Sequence, residues 1–101
     1  MNITSTYSLD SGTLTISVNG AFDFKCHADF RRAYEGATPR PRQVVVDLRD
    51  AEYIDSSALG MLLLLREHAS SERFPVTLAN VRPTVSKILK VANFHQLFSV
   101  A

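Results

Sequence analysis

Apolar side chains in this chain change their spacing several times, and each change marks an element. Leu14, Ile16 and Val18 alternate with threonine, serine and asparagine. A period of two places them on one face of a strand over residues 13–19. Residues 3–9 alternate more loosely, with Ile3, Tyr7 and Leu9 among threonines and serines, and also predict a strand. Asp10-Ser11-Gly12 between them is a turn, which makes the pair an antiparallel hairpin, and Asn19-Gly20 ends its second strand. The spacing then becomes helical. Cys26, Phe30, Ala33 and Tyr34 form the inward side of a helix over residues 25–34. The proline-bearing loop GATPRPR follows and delivers the chain to Val44, Val45, Val46 and Leu48, a block of the kind found in buried parallel strands. Residues 49–55 read as a polar connection interrupted by Tyr53 and Ile54.

A long helix comes next. Ala58, Leu62, Leu65 and Ala69 make its core stripe, with Leu59 at the flank. Ser57, Gly60, Leu64, Glu67 and Ser71 fall on the opposite side, and Met61 and His68 lie at its border. Met61 and Leu64 are too apolar for an ordinary solvent face, so either neighbouring helices cover them or a partner does. Residues 74–79 predict a short strand, and Asn80-Val81-Arg82 turns into a helix with Pro83 near its first turn. That helix, over residues 84–91, presents Val85, Ile88, Leu89 and Ala92 inward. Asn93 ends it, and Phe94, Leu97 and Phe98 form a terminal apolar segment over the core's edge.

The order is β-β-α-β-α-β-α with a terminal segment. It predicts an α/β fold: a mixed β-sheet with helices packed largely on one face. With 101 residues the chain makes one domain, residues 1–101. Its formal charge of +1 supplies no electrostatic footprint for nucleic acid or an anionic membrane. No apolar run approaches the roughly 18–20 residues that cross a bilayer. The opening MNITSTYSLDSG has neither the basic start nor the apolar core of a secretory signal. A single cysteine, Cys26, makes no internal disulfide and suits a reducing compartment, so the expected location is the cytoplasm.

Candidate chemistry centres on Asp55-Ser56-Ser57, three residues of N-cap type just before the long helix. A hydroxyl or carboxylate in that place is most often only a cap. The same place also offers free backbone N–H groups and the positive end of the helix dipole, which suits a phosphate. Catalytic readings lack support. No Gly-x-Ser-x-Gly elbow and no Walker-type loop is present, and His68 lies about three turns down the helix from Ser56. Cys26 and the histidines lack metal-ligand spacing, so no metal and no cofactor is expected. An acid–base role for Asp47 and Asp55 is weaker than a strand-end aspartate and a cap.

The string VVVDLRDAEYIDSSALGMLLL resembles the signature of the STAS domain, as found in bacterial anti-sigma factor antagonists. The matching residues are Asp47, Ile54, Asp55, Ser56, Ser57, Ala58, Leu59 and Gly60, with Ala58 standing where glycine is common. Gly20-Ala21-Phe22-Asp23 is similar to the family's Gly-x-apolar-Asp at the end of its second strand, and His27 stands where threonine is frequent. The resemblance covers essentially the whole chain. It implies that Ser56 is the phosphoacceptor and that Asp23 belongs to the same surface, where it also serves as a helix N-terminal acid. It implies a non-enzymatic, partner-switching regulator. The unphosphorylated form would bind an anti-sigma factor, itself often the serine kinase, and a serine phosphatase would restore it. The expected partner surface is Asp23, Asp55, Ser56, Ser57, Met61 and Leu64. A rival implied by the same resemblance is a subunit of a lipid-transport ABC complex.

Overall fold

The computed structural model describes residues 2–101. Strand β1 (Ile3–Ser8) pairs antiparallel with β2 (Thr13–Phe22), in register from Ile3↔Val18 to Ser8↔Thr13. The turn between them needs a glycine. Gly12 has a φ of +69°, and a Cβ there would lie 2.8 Å from the Arg42 side chain. A 3-10 turn over Phe24–Cys26 leads into helix α1 (His27–Glu35). Then come β3 (Gln43–Ile54), α2 (Ser56–Glu72), β4 (Val76–Ala79) and α3 (Pro83–Val91). A second 3-10 turn (Phe94–Gln96) and β5 (Ser99–Val100) follow. The sheet has the order β1-β2-β3-β4-β5, and every pairing after the first is parallel.

Alternation along the central strands decides where the helices lie. Leu14, Ile16 and Val18 of β2 and Val44, Val46 and Leu48 of β3 are buried, while Thr15, Ser17, Val45 and Asp47 between them are only half-buried. Phe30 and Tyr34 from α1, Leu62 and Leu65 from α2, and Val85 and Leu89 from α3 join the same buried cluster. The helices therefore cover one face of a mixed sheet, and the other face carries mostly hydroxyl side chains. Each fully buried side chain of this kind contributes about 1.5–3 kcal/mol relative to exposure. An aromatic chain ties α1 to the sheet, with Phe22 and Phe30 ring centres 5.1 Å apart and Phe30 and Tyr34 5.9 Å apart.

Several boundaries differ from the sequence expectation. Residues 49–54 are not a loop but the second half of β3, and β2 continues past Asn19-Gly20 to Phe22. Register shifts between Ser17 and Asn19 and between Gly20 and Ala21 give β3 extra residues opposite β2. These bulges convert the burial period from two to three, so that Leu48, Ala51 and Ile54 all face the core. A period-three strand has no signature that simple alternation detects. Gly20, with a φ of +81°, accommodates the second shift. Near the C-terminus, β5 is only two residues long and is held by Thr77↔Ser99, Leu78↔Val100 and the Ala101 N–H on the Leu78 carbonyl at 2.9 Å. Strand β4 begins at Val76, after the buried Phe74. Ile88 and Leu97, expected inward or over the core edge, are 37% and 38% exposed.

Candidate functional site

Strands β2 and β3 end side by side. Phe22 pairs with Ile54, and the Asp55 N–H donates to the Phe22 carbonyl at 3.3 Å. Asp23 and Asp55 are therefore the next residues on adjacent strands, and each starts a helical segment. Asp23 accepts from the Lys25 N–H at 3.0 Å, and Asp55 accepts from the Ala58 N–H at 2.9 Å. Asp55, in extended conformation, is the N-cap of α2. Ser56 and Ser57 then occupy its first two helical positions. Both are exposed, and neither hydroxyl has a protein hydrogen-bond partner among the described residues. Their amides belong to the first turn, which has no intrahelical acceptors. The capping duty thus falls on the aspartate and leaves both serine hydroxyls uncommitted.

Apolar ground lies on both sides of this turn. Phe24, His27, Ser57, Gly60, Met61 and Leu64 line a depression between the start of α1 and the first turns of α2. Leu59, Lys87, Ile88, Val91 and Ala92 line another between α2 and α3. Phe24 is 66% exposed, Leu64 48% and Val91 81%, so this region shows water much more hydrocarbon than a solvated face requires.

The structure brings Asp23, Asp55, Ser56 and Ser57 together at one end of the sheet and sets Leu64 beside them. It corrects Met61. That side chain is only 3% exposed and joins the core as the floor of the depression, because α1 packs against the border of α2 where Met61 lies. Ser57, not Ser56, lines the depression itself. The sequence reading missed Phe24, whose signal was an unpaired phenylalanine directly after the Asp23 cap. It also missed the α3 contribution, because Ile88 was assigned to the core.

Other titratable groups serve the fold. The His68 ring packs at a tilt against Tyr34, with ring centres 5.1 Å apart, and meets Phe74 edge-on at 6.1 Å. Burial pushes the Tyr34 phenol above its ordinary value, with a further push from the neighbouring Glu35. Asp47 accepts from the Arg49 N–H and the Asn80 amide, which fixes the β4–α3 connection beside β3. Among the described residues no group of three His, Cys, Asp or Glu side chains could hold a metal ion.

Comparison with known proteins agrees with this geometry. The family model described as "Mlab, STAS domain" matches residues 5–99. The chain belongs to the STAS domain family. A STAS-domain containing protein of Pseudomonas aeruginosa (strain UCBPP-PA14) is 55% identical over 101 residues, covering 100% of both chains. Among solved structures, an anti-sigma-factor antagonist (STAS) domain protein from Planctomyces limnophilus superposes with a TM-score of 0.82 at 20% identity, covering 99% of this chain and 89% of that one. The anti-sigma factor antagonist SpoIIAA in its unphosphorylated form gives 0.77 at 17% identity, covering 98% and 86%. Those two likenesses establish the STAS fold for this chain. No described helix of this STAS domain is long and apolar enough to cross a membrane.

Proposed function

We propose that this STAS protein is an anti-sigma factor antagonist whose unphosphorylated form binds a cognate anti-sigma factor and which phosphorylation of Ser56 inactivates. The observation that carries the reading is the division of labour at the start of α2. Asp55 caps the helix, so the Ser56 hydroxyl is exposed and without a protein partner, and the next residue, Ser57, lines an apolar depression. The descriptions of the structural neighbours as anti-sigma factor antagonists support the same reading. In this scheme Leu64 contributes apolar contact, Met61 supports it from the core beneath, and Asp23, Asp55 and Ser57 form the polar rim. The anti-sigma factor acts as the serine kinase, and a serine phosphatase reverses it.

A phosphate adds about −1.5 to −2 charge and a bulky group. At a helix N-terminus the fold accommodates it. At an apolar docking surface it spoils the contact. The switch therefore acts on the interface and leaves the domain folded. The test uses unmodified protein as bait to recover the partner, followed by phosphorylation with that partner and ATP and mapping of the modified residue. Phosphate on Ser56, weaker partner affinity for the phosphoprotein than for Ser56→Ala, and unchanged circular dichroism are the expected results. Phosphate on Ser57 alone, or equal affinities, overturns the reading. Recovery of a transporter ATPase with no phosphoserine points instead to a lipid-transport subunit.

A further inference from the structure

The sheet has two edges, and they are protected very differently. At one end β5 is two residues long, too short to template another strand. At the other end β1 offers six residues, ITSTYS, with no charge, no proline and no bulge in its register with β2. Edge strands are ordinarily blunted by one of those devices. This one has none.

Hydrogen-bond parity shows which groups are open. The Asn19 N–H donates to the Asn2 carbonyl at 2.8 Å, so residue 2 turns its backbone toward β2, and in an antiparallel pair Thr4, Thr6 and Ser8 do the same. Ile3, Ser5 and Tyr7 therefore direct their N–H and C=O groups outward, and among the described residues none of those groups has a protein partner. Beside them runs a trench between β1 and α1. One part is lined by Ile3, Thr4, Ser5, Asp29, Arg32 and Ala33. The other continues from Ser5 past Tyr7 to Gly36 and Ala37.

We propose that β1 pairs antiparallel with β1 of a second copy of this chain, about a two-fold axis at Ser5, joining two sheets into one. An antiparallel pair centred on Ser5 sets Ile3 opposite Tyr7 of the second copy, Ser5 opposite Ser5, and Tyr7 opposite Ile3. This register satisfies every outward group of Ile3, Ser5 and Tyr7; a shift of the axis to Thr4 or Thr6 leaves some unpaired. It also sets Thr4 opposite Thr6 on the hydroxyl-bearing face and a β-branched residue opposite an aromatic on the helix face, both favourable cross-strand pairs. The charged side chains of the trench, Asp29 and Arg32, already form an ion pair, so two trenches meet without net repulsion. A symmetric contact of this kind closes at two subunits. None of the trench residues lines the depression at Ser57, so each copy keeps its α2 surface open.

Sedimentation velocity over about 10 μM to 1 mM tests the pairing, with circular dichroism confirming that each variant is folded. Thr4 and Thr6 are exposed on the open face, so they accept charge in the isolated domain. Thr4→Lys with Thr6→Lys sets like charges opposite each other across the axis and is expected to weaken association by roughly tenfold or more. Thr4→Lys with Thr6→Glu sets opposite charges there and is expected to restore it. A wild-type protein that stays monomeric throughout the range overturns the proposal. So does a double-lysine variant that associates as tightly as wild type, which would place the contact on the apolar α2 face. A lysine–glutamate variant as weak as the double lysine overturns it as well.

Discussion

Met61 and Leu64 stand one turn apart on α2 and line the same depression, yet the structure gives them opposite roles. Met61 is 3% exposed and packs in the core; Leu64 is 48% exposed. Truncating a buried methionine to alanine removes its transfer energy and leaves a cavity, at a cost of about 2–5 kcal/mol. In a domain of this size each kcal/mol lowers Tm by roughly 4–8 °C, so Met61→Ala should melt at least about 8 °C early. Leu64 keeps about half its surface in water already, and a fully buried leucine is worth about 1.5–3 kcal/mol, so Leu64→Ala costs at most about 1.5 kcal/mol. Alanine's high helix propensity reduces that further. Partner affinity should show the reverse preference. An apolar anchor at the centre of an interface is worth more than about 1 kcal/mol, or several-fold in Kd. Leu64→Ala should therefore weaken binding several-fold while the thermal midpoint moves little. Melting followed by circular dichroism and calorimetric titration with the recovered partner supply both readouts. If Leu64→Ala lowers Tm as much as Met61→Ala, the burial assigned to the two residues is wrong. If its binding matches wild type, the depression is not the docking surface.

The same turn allows a sharper test of which residue caps α2. Asp55→Ala removes the bond to the Ala58 N–H and should cost about 0.5–2 kcal/mol in denaturant melts, whereas Ser56→Ala, at an exposed position with no bonded hydroxyl, should stay within about 0.5 kcal/mol. Equal losses would show that the serine shares the cap. Alkaline titration probes Tyr34, whose folded phenol is held above the ordinary value of 10.0 mainly by burial. Between the unfolded and folded values the native state holds more protons than the unfolded state, so stability is intact below about pH 10 and falls as pH rises through that window. Tyr34→Phe should flatten that fall in a pH series of urea midpoints, and an unchanged slope would remove Tyr34 as its source.

Most of the architecture was visible in periodicity, because most of its elements bury one face at a regular spacing. Leu14, Ile16 and Val18 mark β2, and Ala58, Leu62, Leu65 and Ala69 mark the buried stripe of α2, just as alternation and helical spacing require. What escaped were places where tertiary pairing overrides local pattern. Residues 49–54 contain Arg49, Asp50 and Glu52 and look like a loop, yet β2 runs alongside and bulges make Ala51 and Ile54 face inward. Strand β5 has two residues and exists only because β4 offers an open edge. For the site, the chain order placed Asp55, Ser56 and Ser57 at a helix start without help from the fold. The adjacency of Asp23 and Asp55 needed the Phe22↔Ile54 pairing, which no local pattern contains. Met61 at the border of the polar side was undecidable from helical geometry, since its burial depends on how closely α1 approaches.

Under the proposed function, the arrangement at α2 would let a signalling serine be changed without risk to the fold. Had a serine been the cap, phosphorylation would act on the group that satisfies the first helical turn, and the helix start would change with each cycle. Here Asp55 holds the Ala58 amide whether or not its neighbour is modified. The nearest buried positions, Ile54 on one side and Ala58 on the other, are anchored in the core. A phosphate on Ser56 would lie near the Asp55 carboxylate, a like charge, and near the helix N-terminus, which attracts it. Those opposing effects keep the modification's net influence on folding small, while nothing offsets its charge and bulk at the apolar depressions beside it. Under the proposed function, stability and recognition would thus fall to adjacent residues of the same turn, and only the second would be exposed to modification.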